Sequence, residues 1–228
     1  MTADNPEQEA YGLGLRPGSA HYRAYVGPAG QYDVIGGLQF TLLFQAGLRE
    51  THKLLDLGCG SLRGGRLFIP YLRPGHYFGV EPNEWLVQEG IARELGEDVL
   101  RVKQPTFSSM SDFALSALGE RFDFVLAQSV FSHTFRDLTL QGFAGVNEAL
   151  ADRGLLFATF FEREHTAAGN GWRYPACVPY PWDELVSIGA EAGLSLSRIE
   201  WPHPRQTWFV AAHDRATAET AAARIASS

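Results

Sequence analysis

Asp56, Gly58, Gly60 and Glu81 are the residues of this sequence best suited by type and spacing to hold a ligand. The first three fall in Leu54-Leu55-Asp56-Leu57-Gly58-Cys59-Gly60-Ser61-Leu62-Arg63-Gly64-Gly65, where a short apolar run ends in four glycines within eight positions. Glycine lets the chain turn without a Cβ clash and lets a ligand lie on the backbone. A helical pattern follows the turn, so its first N–H groups face the same crevice at the carboxyl edge of the sheet. A pyrophosphate-binding turn would read G-x-G-x-x-G. Counted from Gly58, the third small position is Arg63, and the next glycine comes one residue late. Asp56 suits a cation better than a pyrophosphate, because its carboxylate favours a ligand carrying positive charge. A nicotinamide dinucleotide is therefore disfavoured.

The elements that must position these residues alternate along the chain, as in an α/β domain. Helical spacing covers 34–48, with Ile35, Leu38 and Leu42 on one side. Residues 53–57 make a buried strand, 65–71 a helix stopped by Pro74-Gly75, and 76–80 a second strand ending at Glu81-Pro82. Asn83 is placed to cap the next helix. Residues 99–102 read as a weak third strand and 122–127 as a fourth, apolar enough to be covered on both faces. A helix over 138–150 and a strand over 154–161 follow, then a helix over 181–192 between Pro181 and Gly193. The last two strands, 194–199 and 207–212, are joined by Pro202-His203-Pro204-Arg205, too short for a parallel crossover, so they pair antiparallel. The expected fold is α/β, a Rossmann-like doubly wound sheet of about seven strands, parallel until a closing hairpin. Residues 1–33 form an N-terminal arm or cap, 34–213 the main domain and 214–228 a tail, helical or frayed. Two long segments rich in Gly, Pro and aromatics, 2–33 and 162–181, are lid candidates.

Composition narrows the function. The chain has 228 residues, 45% hydrophobic and 20% charged, which suits one domain with a full core rather than a disordered chain. A net charge of -7 argues against a polyanion partner, since phosphate contacts need clustered Lys and Arg. A small molecule is expected instead of nucleic acid. Cys59 and Cys177 are too few for a disulfide framework or a zinc cluster. Residues 1–10 are acidic and polar, unlike a signal peptide, and no apolar stretch is long enough to span a bilayer. A cytoplasmic protein without membrane contact, monomer or homodimer, is the expectation.

The Asp56-Leu57-Gly58-Cys59-Gly60 run resembles motif I of class I methyltransferases that use S-adenosylmethionine (SAM). Pieces of the resemblance extend across 34–213, and Gly60-Ser61-Leu62-Arg63-Gly64-Gly65 looks like bacterial small-molecule and sugar methyltransferases. It implies SAM as cofactor and S-adenosylhomocysteine (SAH) as product, held by Asp56, Gly58, Cys59, Gly60, Ser61 and Leu62. It implies Glu81 on the ribose hydroxyls, a role in which a carboxylate offers charge-assisted bonds to a vicinal diol. Pro82 and Asn83 are expected beside the adenosine, and Gln128 and Ser129 at the methionine end. The third strand of such enzymes ends in a residue that meets the adenine; here no acid stands there, and Gln104 or a backbone carbonyl is expected to serve, with Phe107 packed on the ring.

Methyl transfer needs alignment and exclusion of water more than it needs a reactive side chain. A base is required where the acceptor loses a proton, as a hydroxyl does. His133, just past the fourth strand, is the first choice and His165, after the fifth, the second; imidazole accepts a proton near neutrality. Trp172, Tyr174, Tyr180 and Trp182 are expected to wall an acceptor pocket, closed by Tyr22, Tyr25 and Tyr32 from the arm. No metal triad is evident, so metal-independent O-methylation of a sugar or biosynthetic intermediate is the leading expectation. A SAM-binding protein without transferase activity, a SAM-bound enzyme of another reaction type such as a cyclase, and a nicotinamide oxidoreductase are the alternatives.

Overall fold

The apolar runs assemble into one sheet, and the periodic segments cover both its faces. The computed structural model describes residues 10–227; residues 1–9 of the expected arm lie outside them. A short helix α1 (Tyr22–Tyr25) and a long one, α2 (Tyr32–Ala46), precede the sheet. Then come β1 (Leu54–Leu57), α3 (Gly65–Tyr71), β2 (Tyr77–Val80), α4 (Glu84–Gly90), α5 (Glu97–Lys103) and β3 (Thr106–Ser108). The second half holds β4 (Phe122–Ala127), α6 (Arg136–Ala149), β5 (Leu150–Glu162), β6 (Pro179–Tyr180), α7 (Trp182–Glu191), β7 (Ser195–Ile199), β8 (Thr207–Ala212) and α8 (Arg215–Ala226).

The sheet runs β3-β2-β1-β4-β5-β8-β7, with the two-residue β6 beside β5. Strands β1 to β5 pair parallel, β8 runs antiparallel between β5 and β7, and β7 and β8 form the expected hairpin. Every residue of β1 and β2 is buried, which explains their near-continuous apolar character. In β4 the side chains alternate between two cores: Val125 and Ala127 belong to the one that holds Phe143 and Ile188, and Phe124 and Leu126 to the one that holds Leu42 and Phe68. Helix α8 starts on an Asp214 side chain that accepts the Thr217 N–H, and it sinks Ala218, Ala221 and Ile225 into the second core. The tail is therefore helical. No helix among the described residues is long and apolar enough to cross a membrane.

One element differs in type from the sequence reading. Residues 99–102 are not the third strand but lie in helix α5. Glu97 and Asp98 open that helix, and Arg101 and Lys103 close it, an arrangement that complements the helix dipole. None of its residues is fully buried: Val99 packs half-buried against the second core, while Val102 is exposed. The strand follows over Thr106–Ser108, a three-residue edge too short and too exposed to be read from hydrophobicity. Strand β5 also begins earlier than expected, at Leu150 rather than 154. The order reverses at β1, whose neighbours are β2 on one side and β4 on the other. A crevice opens at such a switch point, beyond the carboxyl ends of the strands.

Candidate active site

The turn after β1 is tied to its neighbour strand. Gly58 and Cys59 both donate their N–H groups to the Val80 carbonyl, at 2.8 and 3.1 Å. Gly58 has φ 72° and Gly60 φ 55°, the left-handed region that glycine enters without strain. Space demands glycine too: a Cβ at Gly60 would stand 2.7 Å from Val26, and one at Gly58 2.7 Å from Val130. Leu62, beneath the turn, and Ser129, on the cavity wall, take φ near 60° without being glycine; such strain persists only where the surroundings enforce it. Ser129 is held by its N–H to Thr159 Oγ1 at 2.8 Å.

Two acids line the crevice. Glu81 Oε2 accepts the Gly60 N–H at 3.1 Å, and Oε1 accepts both the backbone N–H (2.9 Å) and the side-chain amide (2.7 Å) of Asn83. Asn83 stands at the helix start as expected, but its side chain orients Glu81 instead of capping α4. Asp56 is buried and accepts the Tyr77 hydroxyl at 2.8 Å. Burial pushes its pKa up to about 6, against the pull of Tyr77 and Arg63.

These groups border a cavity of about 450 Å³. Of the residues named from the sequence, it brings together Asp56, Gly58, Cys59, Gly60, Glu81, Pro82 and Asn83 at the ends of β1 and β2. Gln128, Ser129, His133, Trp172 and Tyr174 join them from β4 and the segment after β5. His133 is buried, and its Nδ1 lies 2.8 Å from the Ala176 carbonyl. That carbonyl can only accept, so the proton sits on Nδ1 and Nε2 is left as the basic nitrogen. Burial lowers the His133 pKa; the backbone groups of Ala176 and Arg173 act in the opposite sense. Tyr174 packs edge-on against this ring and donates its hydroxyl to the Tyr25 carbonyl, so the two expected lid segments meet over the cavity.

Several expected residues stand elsewhere. Ser61 and Leu62 are wholly buried beneath the turn, and Tyr32 supports them by donating its hydroxyl to the Ser61 carbonyl at 2.8 Å. Tyr22 bonds Glu94 at 2.9 Å, away from the cavity. Tyr25, rather than Tyr22 or Tyr32, is the arm tyrosine that lines it. Gln104 is the left-handed residue ending α5, before β3 instead of after it, and does not reach the cavity; Met110 and Ser111, beyond the true end of β3, do. Phe107 packs against Tyr77. His165 is exposed on the segment after β5 and lines nothing here. Tyr180 and Trp182 pack into the core around Phe160 and Leu185.

Residues 55–156 match the family described as a methyltransferase domain. The chain shows this match over the stretch from β1 into β5, the part of the sheet that borders the crevice. Its fold is that of magnesium protoporphyrin IX methyltransferase from Synechocystis PCC 6803, solved with bound SAM (15% identity, 91% of this chain and 89% of that one, TM-score 0.60). It is shared with the CcbJ methyltransferase of Streptomyces caelestis (16% identity, 78% and 89% covered, TM-score 0.59). A SAM-dependent methyltransferase from Clostridium acetobutylicum is similar as well (10% identity, 79% and 91% covered, TM-score 0.58). Among curated proteins none matches in sequence.

Sequence reasoning missed part of this site. Arg63, met only as a misfit to a dinucleotide pattern, is buried and lines the cavity. His203, Arg205 and Gln206, read only as part of a turn between strands, line it from the β7–β8 connection. Gln206 ties that connection to the end of β4: its Oε1 accepts from Ser129 Oγ and its Nε2 donates to Ser132 Oγ, both at 3.2 Å. Pro on both sides of His203 was the available signal, since a stiffened turn holds its side chains in place.

Proposed function

We propose that this chain is a class I methyltransferase that binds SAM in the crevice at the ends of β1 and β2 and methylates a hydroxyl group of a small-molecule acceptor, leaving SAH. The observation that carries the reading is the pair of buried acids, Asp56 and Glu81, beside a glycine turn whose backbone leaves no room for side chains. A carboxylate has roughly four acceptor positions, and Glu81 spends three of them on Gly60 and Asn83. The remaining one, on a carboxylate already held rigid, suits a ribose hydroxyl. Asp56 contributes negative charge to a site for a cation. When bound, SAM supplies a methyl group on positively charged sulfur. The chain supplies the rest. Trp172 and Tyr174 keep water from the cavity, and His133 takes the hydroxyl proton on Nε2. Because burial lowers its pKa, His133 is neutral, hence able to accept, at physiological pH. The reading calls for no metal ion.

The fold shared with an enzyme crystallised with SAM supports the cofactor assignment. Calorimetry tests it: the chain is expected to bind SAM and not NADH, and Glu81→Ala to weaken SAM about 30-fold, as loss of a charge-assisted bond does. Labelled SAM offered with a panel of sugars and phenols tests the reaction, with acceptor-dependent SAH as the deciding product. SAM binding with no turnover on any acceptor would leave a binding protein; NADH binding would end the reading.

A further inference from the structure

The wall of the cavity away from β1 and β2 is built of rings. Residues 171–178 run back along 132–135 and are zipped to them. The Phe135 N–H donates to the Gly171 carbonyl (2.9 Å), the Arg173 N–H to the His133 carbonyl (2.8 Å) and the Val178 N–H to the Ser132 carbonyl (2.8 Å). Thr134 stands opposite Trp172 in an antiparallel bridge. That register fixes Trp172 and Tyr174, two residues apart and both on the cavity, against His133. Trp172 lies nearly parallel to the Phe113 ring (5.8 Å between centroids, 25°), and Tyr174 meets the His133 ring edge-on at 5.0 Å. Phe113 is buried, yet Trp172 is 47% and Tyr174 40% exposed. Large rings held half open beside a cavity offer their faces to a flat ligand.

The charges of the cavity disfavour a sugar in that place. Carboxylates hold vicinal hydroxyls best, and among the described residues lining the cavity they are Asp56 and Glu81 alone, both toward the ends of β1 and β2. On the other side Ser129 and Gln206 bond one another, and Gln206 also donates to Ser132. A sugar there would bury several hydroxyls without partners, and each such group carries its full desolvation cost. Base strength points the same way. His133, buried and near the charge of Arg205, holds a proton less firmly than ordinary imidazole. A phenol, with a pKa of about 10, lies far closer to it than an alcohol, which gives up its proton about as reluctantly as water at ~15.7. The Arg205 guanidinium borders the same cavity, where its charge favours the oxyanion that deprotonation leaves.

We propose that the acceptor is a phenol, a hydroxyl on a flat aromatic ring, seated against Trp172 and Tyr174 with its oxygen at His133. The proposal rests on the reading of the cavity as a methyl-transfer site and names the acceptor that reading leaves open. The phenol O–H gives its proton to His133 Nε2 while its oxygen forms the new bond to the methyl carbon. The electrons of the broken carbon–sulfur bond stay on sulfur, as neutral SAH.

Calorimetry on the full chain saturated with SAH, where no transfer can occur, tests the seat itself. The probes are 2-naphthol, its saturated counterpart decahydro-2-naphthol, and methyl β-glucoside. We expect 2-naphthol to bind about tenfold tighter than the saturated alcohol, the usual worth of ring-on-ring contact, and the glucoside not to bind. Trp172→Leu should erase that preference and Trp172→Phe keep it, with SAH binding showing that both variants are folded. The proposal is overturned if 2-naphthol does not bind, if either the saturated alcohol or the glucoside matches it, or if Trp172→Leu keeps the preference. The wild-type comparison decides alone should the variants not fold. With SAM present, turnover of the glucoside and not of 2-naphthol overturns it too. A chain that binds neither SAM nor SAH defeats the cofactor reading instead, and the three probes on the free chain still test the aromatic seat.

Discussion

His133 and Asp56 are both buried titrating groups, and their pKa values move in opposite directions for one reason: burial disfavours the charged form of each. In the proposed reaction the neutral form of His133 is the active one. Activity should therefore rise as pH climbs through its lowered pKa, below the ordinary 6.5, and be level by neutrality. His133→Ala should cut kcat by about 10²- to 10³-fold, the usual worth of a general base, with SAM affinity unchanged. Steady-state rates between pH 5 and 8 check both, and full turnover in the variant would remove the histidine from the mechanism. For Asp56 the charged form is the useful one. Its pKa in the fold, about 6, exceeds the ordinary 3.8, so it favours the folded state at acid pH, and that contribution is lost as pH rises through 6. A cationic ligand offsets the loss. SAM affinity should accordingly strengthen several-fold from pH 5 to 7, and Asp56→Asn should flatten the trend; titrations across that range decide it.

At the scale of elements, helix α1 reaches the core through charge. Glu94, its side chain 7% exposed, takes Arg23 at 2.5 Å and Arg66 at 3.1 Å; Asp33 binds the same two arginines from α2. Arg23 also lies over the Tyr32 ring, the tyrosine that props up the cofactor turn. Removing one partner of a buried ion pair leaves the other charge uncompensated, at a cost of about 3 kcal/mol. Glu94→Ala should thus lower the urea midpoint with little change in slope. It should also weaken SAM, because Tyr25 and Val26 follow Arg23 into the cavity lining. A variant with wild-type stability would show that the cluster is surface decoration. The element that sequence mistook, α5, lacks any such anchor: none of its residues is fully buried. Its identity follows from local charge order and from the glutamine that ends it, signals weaker than the paired valines that suggested a strand.

For the whole molecule, ligand and fold are linked, since the crevice exists only when β1, β2 and β4 are side by side. SAH at 100 times its Kd should add about 2.7 kcal/mol to stability, a rise in Tm of several degrees for a chain of this size. Glu81→Ala should show much less of that rise at the same SAH concentration in a thermal melt; an equal rise would detach Glu81 from the site. The strand–turn–helix around Gly58, the acid after β2 and the histidine after β4 were legible in the sequence because each is local. Apolar runs, glycines and a polar residue at a strand end specify one another within a dozen positions. The sequence by itself also determined the doubly wound class, through the alternation of those runs. Only tertiary structure decided which side chains share the cavity. Gln128 meets His203 across 75 positions, and Tyr32 meets Ser61 across 29, so Tyr32 became a prop and the β7–β8 turn a wall. Such pairings depend on strand order and register, which side-chain type does not encode.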